Sequence, residues 1–133
     1  MKYLIFEVDN EKFGINIKNV KEIILNNKEI VPMPLSNPSQ LGIMQLRGDI
    51  IDVFSVARLL NKRKTKEENI LILENNIGLS VDKVFSIKDD SKLNETEIEM
   101  NKGLKNTLVK KAFKDEDSNE IYIEFDEEKL TNF

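Results

Sequence analysis

The chain contains no cysteine and no histidine in 133 residues. Those absences exclude disulfides, thiolate chemistry, zinc sites of the usual kind and the side chain most used as a general base near neutral pH. An enzyme built from this sequence would have to work with carboxylates, lysine or serine. No spacing here resembles a phosphate loop, a dinucleotide fingerprint or a nucleophile elbow. No apolar run approaches the roughly twenty residues of a membrane helix. The opening Met1-Lys2-Tyr3 enters a strand-like pattern with no cleavage-site signal, so a cytoplasmic protein without direct membrane insertion is expected. Charge of one sign is also lacking: 20 basic residues are interleaved with 24 acidic ones, for a net charge of −4 and a pI near 5.0. With aromatics at only 7%, neither a basic stripe nor a stacking platform is available, which disfavours nucleic acid.

What is present is an ordinary apolar fraction of 40% and a charged fraction of 33%, enough for one self-sufficient core in a chain of single-domain length. Alternating apolar residues in Tyr3–Val8 and Phe13–Ile17, separated by Asp9-Asn10-Glu11, predict two paired strands. Ile17, Val20, Ile23 and Ile24 are spaced three and four apart, which predicts a short helix with Lys21 and Glu22 pointing away from its apolar face. Prolines 32, 34 and 38 then impose an extended, irregular connection. The stretch GIMQLRGDIIDVF, Gly42 to Phe54, reads as a hairpin, Gly42 to Leu46 in and Ile50 to Phe54 out, turning within Arg47-Gly48-Asp49, followed by Ser55 as N-cap of a short helix VARLLNK. Residues 61–69 are nearly all charge and amide, with no apolar residue to anchor them, and are expected to be an exposed loop joining two halves. Beyond it, ILILE and IGLSV form a hairpin about Asn75-Asn76, and VDKVFSI, LVKKAF and IYIEF add further strands. DEEKL makes a terminal helical turn. Leu93, Ile98 and Met100 fit either a helical turn or a loop. Roughly eight to ten short strands argue an all-β barrel or sandwich.

In order and spacing, VKEI, the LRG hairpin, GLSVDKVFSI and IYIEFDEEKL resemble the CheW family of chemotaxis coupling proteins, over nearly the whole chain. The resemblance implies an all-β fold of two SH3-like five-stranded barrel lobes with a few short helices, a groove between them, no catalysis and no cofactor. It implies an adaptor that binds the cytoplasmic tip of methyl-accepting chemoreceptors and the regulatory domain of the histidine kinase CheA. By the same resemblance Val20, Glu22, Gly42, Arg47, Val84 and Ile87 fall at receptor-facing positions, and Ile17 and Leu41 near kinase-facing ones. No catalytic residue and no metal ligand is implied. The competing function is a small all-β module of OB or SH3 type for another ligand or signalling system.

Each residue also has a plainer role. Val20, Val84 and Ile87 suit core packing, Glu22 a solvated charge, and Gly42 a close backbone approach. Arg47 is either an exposed turn residue or a guanidinium that forks onto Glu22 and nearby carbonyls and holds the groove wall; the second is expected. The sequence departs from the common family pattern at Gln45, where asparagine is usual, at Asp52, where proline is usual, and at LVKKAF, which lacks a glycine. Ser55 replaces an aspartate, so capping survives and the charge at that position is lost.

Overall fold

The computed structural model describes residues 1–27, 29–33, 38–63, 66–96 and 108–132. Among the described residues the strands are β1 (Lys2–Val8), β2 (Glu11–Asn16), β3 (Val20–Leu25), β4 (Gln40–Leu46), β5 (Asp49–Ser55), β6 (Asn69–Leu73), β7 (Ile77–Val81), β8 (Lys83–Asp89), β9 (Leu93–Thr96), β10 (Val109–Asp115) and β11 (Ile121–Phe125). One helical turn, α1 (Val56–Leu59), follows β5, with Ser55 Oγ accepting from the Arg58 amide as the sequence predicts. Short 3-10 turns lie at Ile17–Asn19, Asp90–Lys92 and Glu127–Asn132. Ile98 and Met100 lie outside the described residues, as does part of the proline-rich connection.

Two sheets result: six strands in the order β8-β1-β2-β11-β10-β9, and five in the order β3-β6-β7-β5-β4. Their strands are apolar on both faces because each sheet serves two cores. On β1, Leu4, Phe6 and Val8 enter a central cluster, whereas Tyr3 and Ile5 enter a smaller one with Leu93, Phe113 and Tyr122. On β6, Leu71 and Leu73 face the central cluster and Ile70 and Ile72 pack with Met44, Leu46, Ile51 and Val53. The central cluster draws on both sheets and binds the lobes to each other; the two smaller ones fill the lobes. Continuous runs such as YLIF and ILIL are the sequence expression of this double burial.

The connectivity forces the six-stranded sheet to curl. β8 and β9 lie at opposite edges, which in a flat sheet would be about 24 Å apart at roughly 4.8 Å per strand. Only Asp90–Lys92 joins them, and the steps from Asp89 to Leu93 reach about 14 Å at most. Contacts across the curl agree: Tyr3 and Phe113 rings meet at 5.5 Å, and Lys88 Nζ of β8 lies 3.3 Å from Asp115 of β10. Asp115 is fully buried and also accepts from the Tyr122 hydroxyl (3.2 Å) and the Asp117 amide (3.0 Å). The Asp117 N–H, followed by the Lys88 ammonium, holds its carboxyl below the ordinary range against the opposing effect of burial.

Three expectations are corrected. Val20–Leu25 is a strand, not a helix, because its β-branched residues pair with β6 through Glu22↔Ile72, Ile23↔Leu71 and Ile24↔Ile70. The first lobe has six strands rather than five, the extra one being the short β9 beside β10. Residues 61–69 do not join the lobes: they lead from α1 to β6, and β5 and β6 belong to the same sheet. The chain instead crosses at Ile17–Asn19 and at Asp82, whose amide donates to Glu7 O at 3.0 Å and whose carboxylate accepts from the Asp9 amide at 2.8 Å. Those crossings are short and partly apolar, so composition does not mark them.

A carboxyl held low by folding contributes stability above its unfolded value, near 4. That contribution is lost as pH falls through the lower folded value. Urea midpoints measured between about pH 6 and pH 2.5 should therefore fall less steeply for Asp115→Asn than for the wild-type chain; parallel curves would show that Asp115 does not carry the acid response.

Candidate functional site

β4 and β5 meet in a two-residue turn, Leu46 pairing with Asp49 across Arg47 and Gly48. Both central residues have positive φ, 49° and 87°, which is the twist a tight antiparallel turn requires. Glycine adopts it freely; arginine does so at a cost of about 1 kcal/mol. What the arginine returns is a contact across the lobe: its Nη1 donates to Glu22 Oε1 of β3, and Asp49 lies 3.8 Å from Lys21. β3 and β4 are the two edges of the five-stranded sheet, about 19 Å apart if flat. The Glu22–Arg47 and Lys21–Asp49 pairs thus fasten the β3 edge to the turn between β4 and β5 at the far side of the sheet, over a notch lined also by Leu46, Ile51 and Ile72. The fork onto carbonyls is not among the described contacts of Arg47, whose side chain is 71% exposed against 23% for Glu22.

The strand reading of 20–25 changes which side chains are presented. A bulge leaves Lys21 as the extra residue opposite Leu73 and Ile72, so Val20 and Ile23 lie on the side of the central cluster and Glu22 and Ile24 on the side of the inner one. Paired residues share a side of the sheet, and Ile23 pairs with Leu71 of the central cluster while Val20 pairs with Leu73 of the same cluster. On β8, Val84 pairs with Phe6 and Ile87 with Leu4, also of that cluster. Val20 and Val84 are half-buried against it, whereas Ile23, Leu25 and Ile87 are exposed. Among the described residues β3 pairs only with β6 and β8 only with β1, so both are edge strands. Two apolar strips, one from each lobe, therefore border the shared core without being covered by it. Leu25 and Ile87 are 64% and 54% exposed. Ile23 and Leu25 are functional candidates that the helical reading missed; period-two alternation on an edge strand is the signal that finds them.

Phe85 is the extra residue of a bulge opposite Ile5 and Phe6, exposed and capped by the Lys12 ammonium 4.7 Å from its ring centre. Gly42 has a packing role: at φ 146° its Cα hydrogen faces the Val31 carbonyl, 2.1 Å from where a Cβ would sit. That approach permits the bridge in which Val31 and Ile43 exchange hydrogen bonds at 2.8 and 3.0 Å. Ile17 and Leu41 are not brought together. Ile17 packs on the central cluster at the lobe crossing, and Leu41 packs on the cluster inside the second lobe, on the strand beside exposed Val31 and Met33.

On β8 the displaced protonation equilibria belong to Lys88, raised by Asp115, and Asp89, lowered by the Ser91 amide. Burial and then Glu124 push the Tyr3 phenol up to about 12, and burial raises Tyr122 and Glu127, the latter accepting from Asn19. These groups belong to packing contacts. The strips themselves present aliphatic surface flanked by charge.

A family model described as CheW-like domain matches residues 2–132. A curated relative, Chemotaxis protein CheW of Thermotoga maritima, is 28% identical over 89 residues, 63% of this chain; the match spans 58% of the relative's own length. The crystal structure of scaffolding protein TtCheW from Thermoanaerobacter tengcongensis has the same fold, with a TM-score of 0.78 at 23% identity over 93% of this chain and 87% of that one.

Gly42→Ala should lower the urea-unfolding free energy by more than about 2 kcal/mol, because the new methyl meets backbone at a backbone angle that side chains resist. A loss under about 0.5 kcal/mol would mean the Val31 bridge is dispensable. Glu22→Ala and Arg47→Ala should couple by about 0.5 kcal/mol in a double-mutant cycle of unfolding, the magnitude of an exposed ion pair. Full additivity would show that the β3 edge is not fastened there.

Proposed function

Because the chain belongs to the CheW-like domain family, we propose that it is a non-enzymatic chemotaxis adaptor that joins the cytoplasmic tip of a chemoreceptor to the regulatory domain of the histidine kinase CheA. The observation that carries this reading is the pair of uncovered apolar strips on β3 and β8 at the border between the lobes. Exposed apolar residues on an edge strand invite aggregation unless a partner covers them. Their placement suits an elongated partner with an apolar stripe, laid along the border and flanked by Lys21 and Glu22. In this reading Val20, Ile23, Leu25, Val84 and Ile87 meet the receptor. Glu22 and Arg47 hold the β3 wall, and Gly42 acts only through packing.

For the kinase, the surface beside Leu41 is the better candidate than Ile17. Val31 and Met33 expose apolar surface next to β4, whereas Ile17 is held at the lobe crossing. No helix among the described residues is long and apolar enough to cross a membrane. In this reading the protein works in the cytoplasm and reaches the membrane through its receptor partner.

A receptor-tip fragment and a CheA regulatory domain from the same organism should each bind with micromolar affinity. Leu25→Glu and Ile87→Glu should weaken the receptor fragment at least tenfold, about 1.4 kcal/mol, and leave the kinase domain within twofold; Val31→Glu should do the reverse. Failure of the unmodified protein to bind either fragment in calorimetry would remove the adaptor reading.

A further inference from the structure

The segment 61–69 contains no apolar side chain to anchor it, yet its last residues hold a defined place. Glu67 provides the anchor. Its Oε1 accepts from Ser55 Oγ at 2.6 Å and its Oε2 from Ser80 Oγ at 2.8 Å. The two serines are fully buried and pair across the parallel β5–β7 ladder. Each hydroxyl has one proton to give, and one carboxylate takes both, through charge-assisted bonds stronger than those between neutral groups. Ser55 Oγ meanwhile still accepts from the Arg58 amide, so the same hydroxyl caps α1.

The backbone beside this clasp is tied to the end of β3. Glu67 O accepts from Asn26 Nδ2 at 2.8 Å and Glu68 O from the Asn26 amide at 2.9 Å, while Asn69 Nδ2 donates to Ile24 O at 3.4 Å. Leu25 lies between these bonds, opposite Asn69 in the ladder. The Glu68 amide also donates to Asp82 O at 3.3 Å, at the crossing that leads into β8. One short segment therefore touches the end of one apolar strip and the beginning of the other.

We propose that Glu67 is a positioning residue for the groove: its carboxylate, clasped by Ser55 and Ser80, fixes the segment onto which the end of β3 is zipped, and so sets the place of Leu25 for the bound partner. The inference rests on the reading that this groove binds the receptor tip. It adds that affinity depends on a residue whose side chain points into the lobe and away from that partner.

Two readouts on the full chain test it: amide hydrogen exchange and affinity for a soluble receptor-tip fragment. In Glu67→Ala, exchange at residues 24–26 should quicken at least tenfold relative to β1 and β2, and the fragment should bind at least fivefold more weakly. Glu67→Gln can still accept from one hydroxyl and donate to the other, and should recover most of both. Unchanged exchange at 24–26 in Glu67→Ala overturns the proposal. So does quickened exchange with unchanged affinity, when Leu25→Glu in parallel loses binding; that pattern spares the groove and removes only the positioning role. If the unmodified chain does not bind the fragment, the groove reading falls and the inference with it. Should Glu67→Ala fail to fold, Ser80→Ala opens half the clasp and must show a smaller change in both readouts; its absence is equally fatal.

Discussion

Closure of a sheet upon itself is the constraint from which the remaining features of this protein follow. A flat sheet of five or six short strands with apolar residues on both faces would leave one face in water. Here each sheet curls until its inner face fills with its own residues, and the outer faces of both then share the central cluster. In the first lobe the chain enforces the curl, because three residues link the two edges. In the second the β3 edge is joined to the far turn by side chains, and the Arg47–Glu22 pair is the visible fastening. An exposed ion pair contributes little to global stability. Its importance is geometric, since it acts where no ladder hydrogen bonds run.

Curling two sheets and packing them back to back leaves edge strands at the seam. β3 and β8 each pair on one side only and carry aliphatic side chains toward the shared core, beyond the point where that core covers them. The resulting strips arise from the architecture and need no dedicated loop. The strips and the second lobe share their supports, because residues that position β3 also complete that lobe.

The substitution of Ser55 illustrates how such a structure redistributes a charge. Read from the sequence alone, serine in place of the family's common aspartate removes a negative group beside α1. In the folded chain the Glu67 carboxylate lies 2.6 Å from the Ser55 hydroxyl, supplied from a segment twelve residues away. The charge is thus relocated beside position 55, and the cap and the loop anchor are served by one hydroxyl. Gly42 makes the complementary point. Glycine at this position has a packing basis, because the absence of a side chain lets Val31 lie against β4.

Local chemistry was legible from the residues. Alternation identified most of the strands, Arg47-Gly48 and Asn75-Asn76 marked turns, Ser55 marked a cap, and the LRG and GLSVDKV motifs pointed to the family. The spacing of Ile17, Val20, Ile23 and Ile24 fits both a helix and a strand, and only pairing with β6 decides between them. Which strands share a sheet was likewise beyond the sequence: the first two strands belong to one lobe, the next five to the other, and the rest to the first again, and the polar stretch at 61–69 comes between two strands of one sheet rather than at a boundary. The meeting of Arg47 with Glu22 and of Glu67 with two serines depends on closure, which brings together residues that no periodicity relates. Sequence by itself determined the elements and the family; tertiary structure decided which edges were left open, because an edge exists only once every strand has found its neighbours.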